Sequence, residues 1–126
     1  MILMKEGFDM NKIVAAVKRK GLPFEFVEYM GMNGVIKAVR VNYTGLRPPL
    51  IKGAVVINHN VYNESMTLVT EEQAESLKAY SKALEILSLA FWNTLRETRD
   101  KDRAVAAQRA TAEKHNCLNV FEGIYA

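Results

Sequence analysis

Thr70-Glu71-Glu72-Gln73 opens the stretch that decides the fold, and from there no glycine or proline interrupts the chain until Gly123. Thr70 is placed to accept a hydrogen bond from the amide of Gln73, and Gln73 to reach back to Thr70, the reciprocal pattern that starts a helix. Leu77, Tyr80, Leu84, Leu87 and Phe91 then recur at alternating spacings of three and four, a heptad seam. Ala79, Ala83, Ile86 and Ala90 make a second face of small residues. A helix apolar on two sides needs two partners. The spacing predicts a sheet on one side, and the last helix or a second copy of the chain on the other.

Downstream, Arg96 to Arg103 is wholly polar and reads as the corner between two helices, with Asp100 or Asp102 capping the second. One uninterrupted, solvated helix is the alternative, because no strong breaker is present. The last helix runs to about His115 and is rich in alanine, at positions 104, 106, 107, 110 and 112. Alanine favours helix and admits close neighbours. Asn116 ends it. The tail from Cys117 to Ala126 is apolar enough to dock on the core or on a partner subunit.

Upstream, Phe24 to Met30 is aromatic and β-branched, as strands are. Gly31-Met32-Asn33-Gly34 supplies the turn. Val35 to Tyr43 follows, with Val35, Lys37, Val39, Val41 and Tyr43 on one face and Arg40 and Asn42 on the other. These two runs predict a hairpin. Thr44 to Pro49 is a loop stiffened by its prolines. Ala54 to Tyr62 is a third strand, and Met66 to Val69 a short fourth. Before the hairpin, Asp9 is placed to cap a helix from Met10 to Lys20. Gly21 sits at its C-terminal stop and Pro23 prevents continuation. Residues 1–8 read as a loose leader. The expected fold is α+β: a short N-terminal helix, a three- to four-stranded antiparallel sheet, and two C-terminal helices.

At 126 residues the chain is expected to be a single domain, divided into leader (1–8), helix and sheet (9–69), two helices (70–116) and docked tail (117–126). With 49% hydrophobic and 25% charged residues it is globular. A formal charge of +3 is too slight to imply nucleic acid. Cys117 is the single cysteine, so no disulfide forms within the chain. No apolar run has the length of a signal peptide or a membrane span, and the expected compartment is the cytosol.

Catalytic patterns are missing. His115 and Cys117 are two residues apart at a helix end and point away from each other, and His59 is the only other histidine. Zinc spacing, phosphate-binding glycine loops and nucleophile elbows are absent. Thr44-Gly45-Leu46-Arg47 has anion-binding groups but reads as a turn. The acids Glu71, Glu72 and Glu75 suit a helix start electrostatically, as Lys18, Arg19 and Lys20 suit a helix end. The expectation is a protein without enzymatic activity, metal or cofactor.

Phe91-Trp92-Asn93-Thr94-Leu95-Arg96 is different. Trp92, with Leu89 and Arg96, lies off the seam on a third face. An indole and a guanidinium one turn apart can sandwich a purine, with arginine on the phosphates. Arg103 and Arg109 extend the guanidinium supply. The competing structural reading packs Trp92 on the sheet and pairs the arginines with Glu97, Asp100, Asp102 and Glu113.

The order of leader helix, small antiparallel sheet and two helices built for a partner, with the neighbourhood of Ala83 and Asn93, resembles the phage anti-Thoeris proteins of the signal-sequestering, or sponge, type. The resemblance spans residues 10 to about 116. It implies a homodimer, or a higher oligomer, that binds cyclic ADP-ribose isomers in pockets shared between subunits and holds them uncleaved. The ligand-binding residues expected on this reading are Phe91, Trp92, Asn93, Arg96, Arg103 and Arg109. The alternatives are a protein-binding inhibitor of the anti-CRISPR kind or a small nucleic-acid-binding protein. No membrane partner is expected.

Overall fold

A computed structural model describes residues 2–45 and 47–126, with side chains described from residue 10 onward. The elements in order are α1 (Ile2–Arg19), β1 (Phe24–Gly31), β2 (Gly34–Asn42), β3 (Val55–Asn60), β4 (Ser65–Val69), α2 (Glu71–Thr98), α3 (Lys101–Lys114) and α4 (Leu118–Ile124). The class is α+β, as the sequence predicts. The chain divides into two compact units, residues 1–77 and 78–126. Among the described residues, no helix is long and apolar enough to cross a membrane.

In the first unit, four strands form one antiparallel sheet in the order β1-β2-β4-β3. The β1–β2 hairpin pairs Phe24 with Val41 through to Gly31 with Gly34, so the turn is only Met32-Asn33. Gly34 takes a positive φ of 127°, which glycine accepts without a steric penalty. Gly31 is needed for a different reason. A Cβ there would overlap Ile36 Cδ1 and lie 2.7 Å from Ser76 Oγ. That closeness lets Ser76 Oγ accept the Met32 amide at 2.9 Å, tying the hairpin tip to the second turn of α2.

The sheet is covered on both faces. Val39, Val41, Met66 and Leu68 share one face and pack with Ile13 and Val17 of α1 and with Ile51. Ile36, Ala38 and Val69 share the other and pack with Ala74 and Leu77 at the start of α2. All five residues of β4 are therefore buried. The expected alternation of the second strand is corrected by this. Val35 and Lys37 lie on the same face as Val39 but are exposed, while Ile36 and Ala38 of the opposite face are buried. The cause is that each covering helix reaches only part of its face.

Two boundaries also differ. α1 begins at Ile2, so Asp9 lies inside it, and residues 2–8 are not a loose leader. A capping residue does not start a helix when the segment before it is itself made of helix formers such as Leu3, Met4, Lys5 and Glu6. At the other end Gly21 (φ 67°) stops α1 as expected. The Gly21 amide donates to Lys18 O, and that of Leu22 to Val17 O, a glycine-terminated helix end. The third strand is shorter than Ala54–Tyr62 because residues 61–64 form the turn into β4. Ile57 makes a bulge between Val56 and Asn58 that interrupts this edge strand.

The reciprocal cap forms. Gln73 N donates to Thr70 Oγ1 at 3.1 Å, and Thr70 N donates to Gln73 Oε1 at 2.9 Å. Both residues are buried, and the Gln73 side-chain amide also donates to Lys37 O of β2 at 3.4 Å. Replacing Thr70 with Ala leaves a buried amide without its acceptor. It is expected to lower unfolding free energy by about 1–2 kcal/mol, measured by urea denaturation; a loss within error would contradict a stabilising cap.

Candidate functional site

All six residues singled out from the sequence lie in the second unit, on α2 and α3. These helices are separated by a corner of two residues. Arg99 adopts a left-handed φ of 54° and its amide donates to Leu95 O at 2.7 Å, which ends α2. Asp100 then caps α3, its carboxylate accepting from Asp102 N at 3.0 Å and Arg103 N at 3.3 Å. The corner reading holds, and the single uninterrupted helix does not. Asn116, at a φ of 60°, ends α3. The amide of Cys117 donates to Ala112 O and that of Asn116 to Glu113 O, the same type of stop as at Gly21.

The interior of this unit is built on α3. Ala104, Gln108 and Ala112, four residues apart, are its buried row. Gln108 is 5% exposed, and its side-chain amide donates to Leu87 O of α2 at 3.0 Å. Tyr125, just past α4, donates its hydroxyl to Gln108 Oε1. One amide thus joins all three helices of the unit with its polar atoms satisfied. The tail is docked within its own unit: it folds as α4, and Val120 and Phe121 are buried. The sequence signal for Gln108 was available, because it sits on the same side of a helix as two alanines that must be buried.

The candidate residues sit on the outer surface of this frame. Phe91 is half-buried, and its ring meets that of Trp92 edge-on, with centroids 5.2 Å apart. Trp92 is 55% exposed, and Leu89, on the same side one turn earlier, is 56% exposed. Asn93 and Arg96 are exposed. Arg96 follows Trp92 by one turn and makes no ion pair among the described residues. Arg103 and Arg109 make loose contacts with Asp100 and Glu113, both at 3.7 Å and well exposed. Such pairs contribute about 0–1 kcal/mol, so they hold the guanidinium groups weakly.

On α2, Trp92 and Arg96 share one side, about 40° apart around the helix axis, whereas Phe91 and Asn93 point about 160° away from each other. The structure does not place Arg103 and Arg109 on one side of α3: six residues apart, they are separated by about 120° around the helix axis. A ligand held by both would have to wrap around α3, or each arginine serves a different contact.

Other places fit a phosphate-bearing ligand less well. A cleft of about 1120 Å³ in the first unit is lined by Lys12, Arg19 and Lys52, but equally by Glu71, Glu72 and Glu75. Three carboxylates offset three cations for any anion. In the turn at residues 44–47, Leu46 lies outside the described residues, and the Gly45 amide already donates to Glu64 Oε2 at 2.8 Å. His59 contacts the hydroxyl of Tyr43, while His115 is exposed at the end of α3 and Cys117 is buried at the start of α4. Among the described residues, no group of three or more His, Cys, Asp or Glu is placed to hold a metal.

No family model matches the chain, and no curated protein or solved structure is significantly similar to it.

The exposure of Trp92 separates a surface role from a packing role. Trp92→Ala is expected to cost well under 2 kcal/mol of stability, whereas Leu87→Ala, at a fully buried position, is expected to cost about 2–5 kcal/mol. Chemical denaturation of the two variants side by side checks this; equal losses would make Trp92 a core residue.

Proposed function

We propose that this protein binds a cyclic ADP-ribose-like nucleotide signal and sequesters it without cleaving it, as a phage-type immune-evasion protein acting in the host cytosol. The observation that carries the reading is the half-exposed Trp92, flanked by Phe91 and followed one turn later by Arg96, which makes no ion pair among the described residues. The Trp92 indole keeps one side against Phe91 and leaves the other exposed to solvent. A flat base gives it a partner, since stacking on an aromatic face contributes about 1–3 kcal/mol. Arg96, Arg103 and Arg109 supply charge-assisted bonds to the two phosphates, and Asn93 can read a base edge or a ribose hydroxyl.

The divergence of Arg103 and Arg109 around α3 supports pockets shared between subunits of a homo-oligomer, with one protomer giving the stacking surface and the other a guanidinium. The same exposed Leu89–Trp92 surface also favours a second reading, a protein-binding inhibitor that takes no small ligand.

Calorimetry against cyclic ADP-ribose isomers decides between them. Tight binding with stoichiometric uptake is expected, with the ligand recovered intact by mass spectrometry after the protein is denatured. At a ligand concentration of 100 Kd the folded state gains about 2.7 kcal/mol, visible as a rise in Tm. Trp92→Ala and Arg109→Ala are each expected to weaken binding at least about tenfold. Absence of any thermal shift with every isomer tested, or conversion of the ligand, overturns the proposal.

A further inference from the structure

We propose that the outer edge of β1 takes an extended peptide segment of a partner protein as a fifth strand of the sheet, and that the segment carries a lysine or arginine between two apolar residues at alternate positions. The site lies in the first unit alone and uses none of the residues assigned to the nucleotide.

β1 and β3 are the edges of the sheet. Soluble proteins commonly blunt such edges with a bulge, a proline or a lysine. β3 has its bulge at Ile57. β1 has none of the three: Phe24–Gly31 contains no proline or lysine, and all eight of its residues pair with β2 in unbroken register. The Asn42 amide donates to Pro23 O at 3.0 Å, which fixes the phase of that ladder. Bonded and non-bonded pairs alternate along an antiparallel ladder, so residues 25, 27, 29 and 31 bond to β2. Phe24, Phe26, Glu28 and Met30 turn their N–H and C=O groups outward, where no strand meets them among the described residues. The free row ends at Met32, whose amide is held by Ser76 Oγ.

Side chains decide which peptide fits. The four outward-bonding residues also share one face of the sheet. Phe26 and Met30 are each 49% exposed there, and Val35, paired with Met30, is 60% exposed. Glu28 stands between them and is exposed. Lys37 is directly opposite Glu28 on β2, but its ammonium stands over the Phe26 ring, 5.1 Å from the centroid. Glu28 makes no ion pair among the described residues, whereas Glu25 on the other face is paired with Arg40. An antiparallel strand laid on this edge therefore sets apolar side chains beside Phe26 and Met30 and a cation beside Glu28. A second copy of β1 does not supply that cation, because the strand holds two glutamates and neither lysine nor arginine.

The test is a titration of the whole isotope-labelled protein, followed by amide NMR, with a capped peptide of valine, lysine and valine separated and flanked by threonines. Saturable shifts centred on residues 24–31 are expected, with slowed hydrogen exchange at the amides of Phe26, Glu28 and Met30. N-methylation of the peptide's lysine amide, which faces β1, is expected to weaken binding at least about tenfold. N-methylation of the adjacent threonine amide, which faces away, is expected to leave Kd within about threefold. Glu28→Lys is expected to weaken the lysine peptide about threefold to tenfold and to favour one with glutamate in its place. Absence of saturable binding, shifts centred elsewhere, or equal effects of the two N-methylations overturns the proposal. So does a peptide of the β1 sequence that binds as tightly as the lysine peptide, which would assign the edge to a second copy. If Glu28→Lys does not fold, the two N-methylated peptides decide on the native protein.

Discussion

Strand β4 is buried at each of its five positions, and this double burial is the constraint on which the first unit depends. A strand buried on both faces needs a layer on each side. α1 covers Met66 and Leu68, while Ala74 and Leu77 of α2 pack with Val69 on the other face. The strand order follows the same need, since β4 lies inside the sheet between β2 and β3 rather than at an edge. The chain leaves β4 straight into α2, and the Thr70–Gln73 cap marks the change from a period of two to a period of 3.6. Burying side chains of this size contributes about 1.5–3 kcal/mol each, so the two covering layers outweigh any single surface contact.

The second unit solves a related problem with fewer large side chains. Ala104 and Ala112 are fully buried, which lets helices approach closely but leaves little apolar volume. Gln108 makes up for it by hydrogen bonding rather than by size. Its amide reaches the carbonyl of Leu87 on one side and the hydroxyl of Tyr125 on the other. A buried amide with both ends satisfied specifies one arrangement more sharply than another alanine would. It keeps α4 and the C-terminal residues engaged, and it leaves the Leu89–Trp92 side of α2 with no partner inside the unit.

Much of this was legible from local chemistry. The β1–β2 hairpin, the Gly21 stop, the Thr70–Gln73 cap, the Asp100 cap and the Asn116 stop each rest on a few adjacent residues, and each is where the sequence puts it. Reading failed where the decision is made at a distance. Ile36 and Ala38 gave no sign of burial in their own alternation, because α2 supplies the cover. The start of α1 was placed at a good capping residue when the upstream segment was equally helical. Gln108 carries no local mark of its burial, since its partners lie on α2 and just past α4. For the candidate site, the identity of the exposed cluster was legible from spacing. The angular divergence of Arg103 and Arg109 follows from the same spacing, six residues at about 100° each.

Trp92 is the only tryptophan in the chain, and it is the residue on which the functional reading turns. Its emission therefore reports on the proposed contact directly. The measurement is a titration of tryptophan fluorescence with cyclic ADP-ribose isomers, at a fixed protein concentration. A saturable quench with a sharp stoichiometric end point for at least one isomer is the expected result, because a base stacked in contact with the indole takes up energy of the excited ring without emission. Emission that stays unchanged while calorimetry records binding would place the ligand elsewhere on the protein and contradict the site at Trp92.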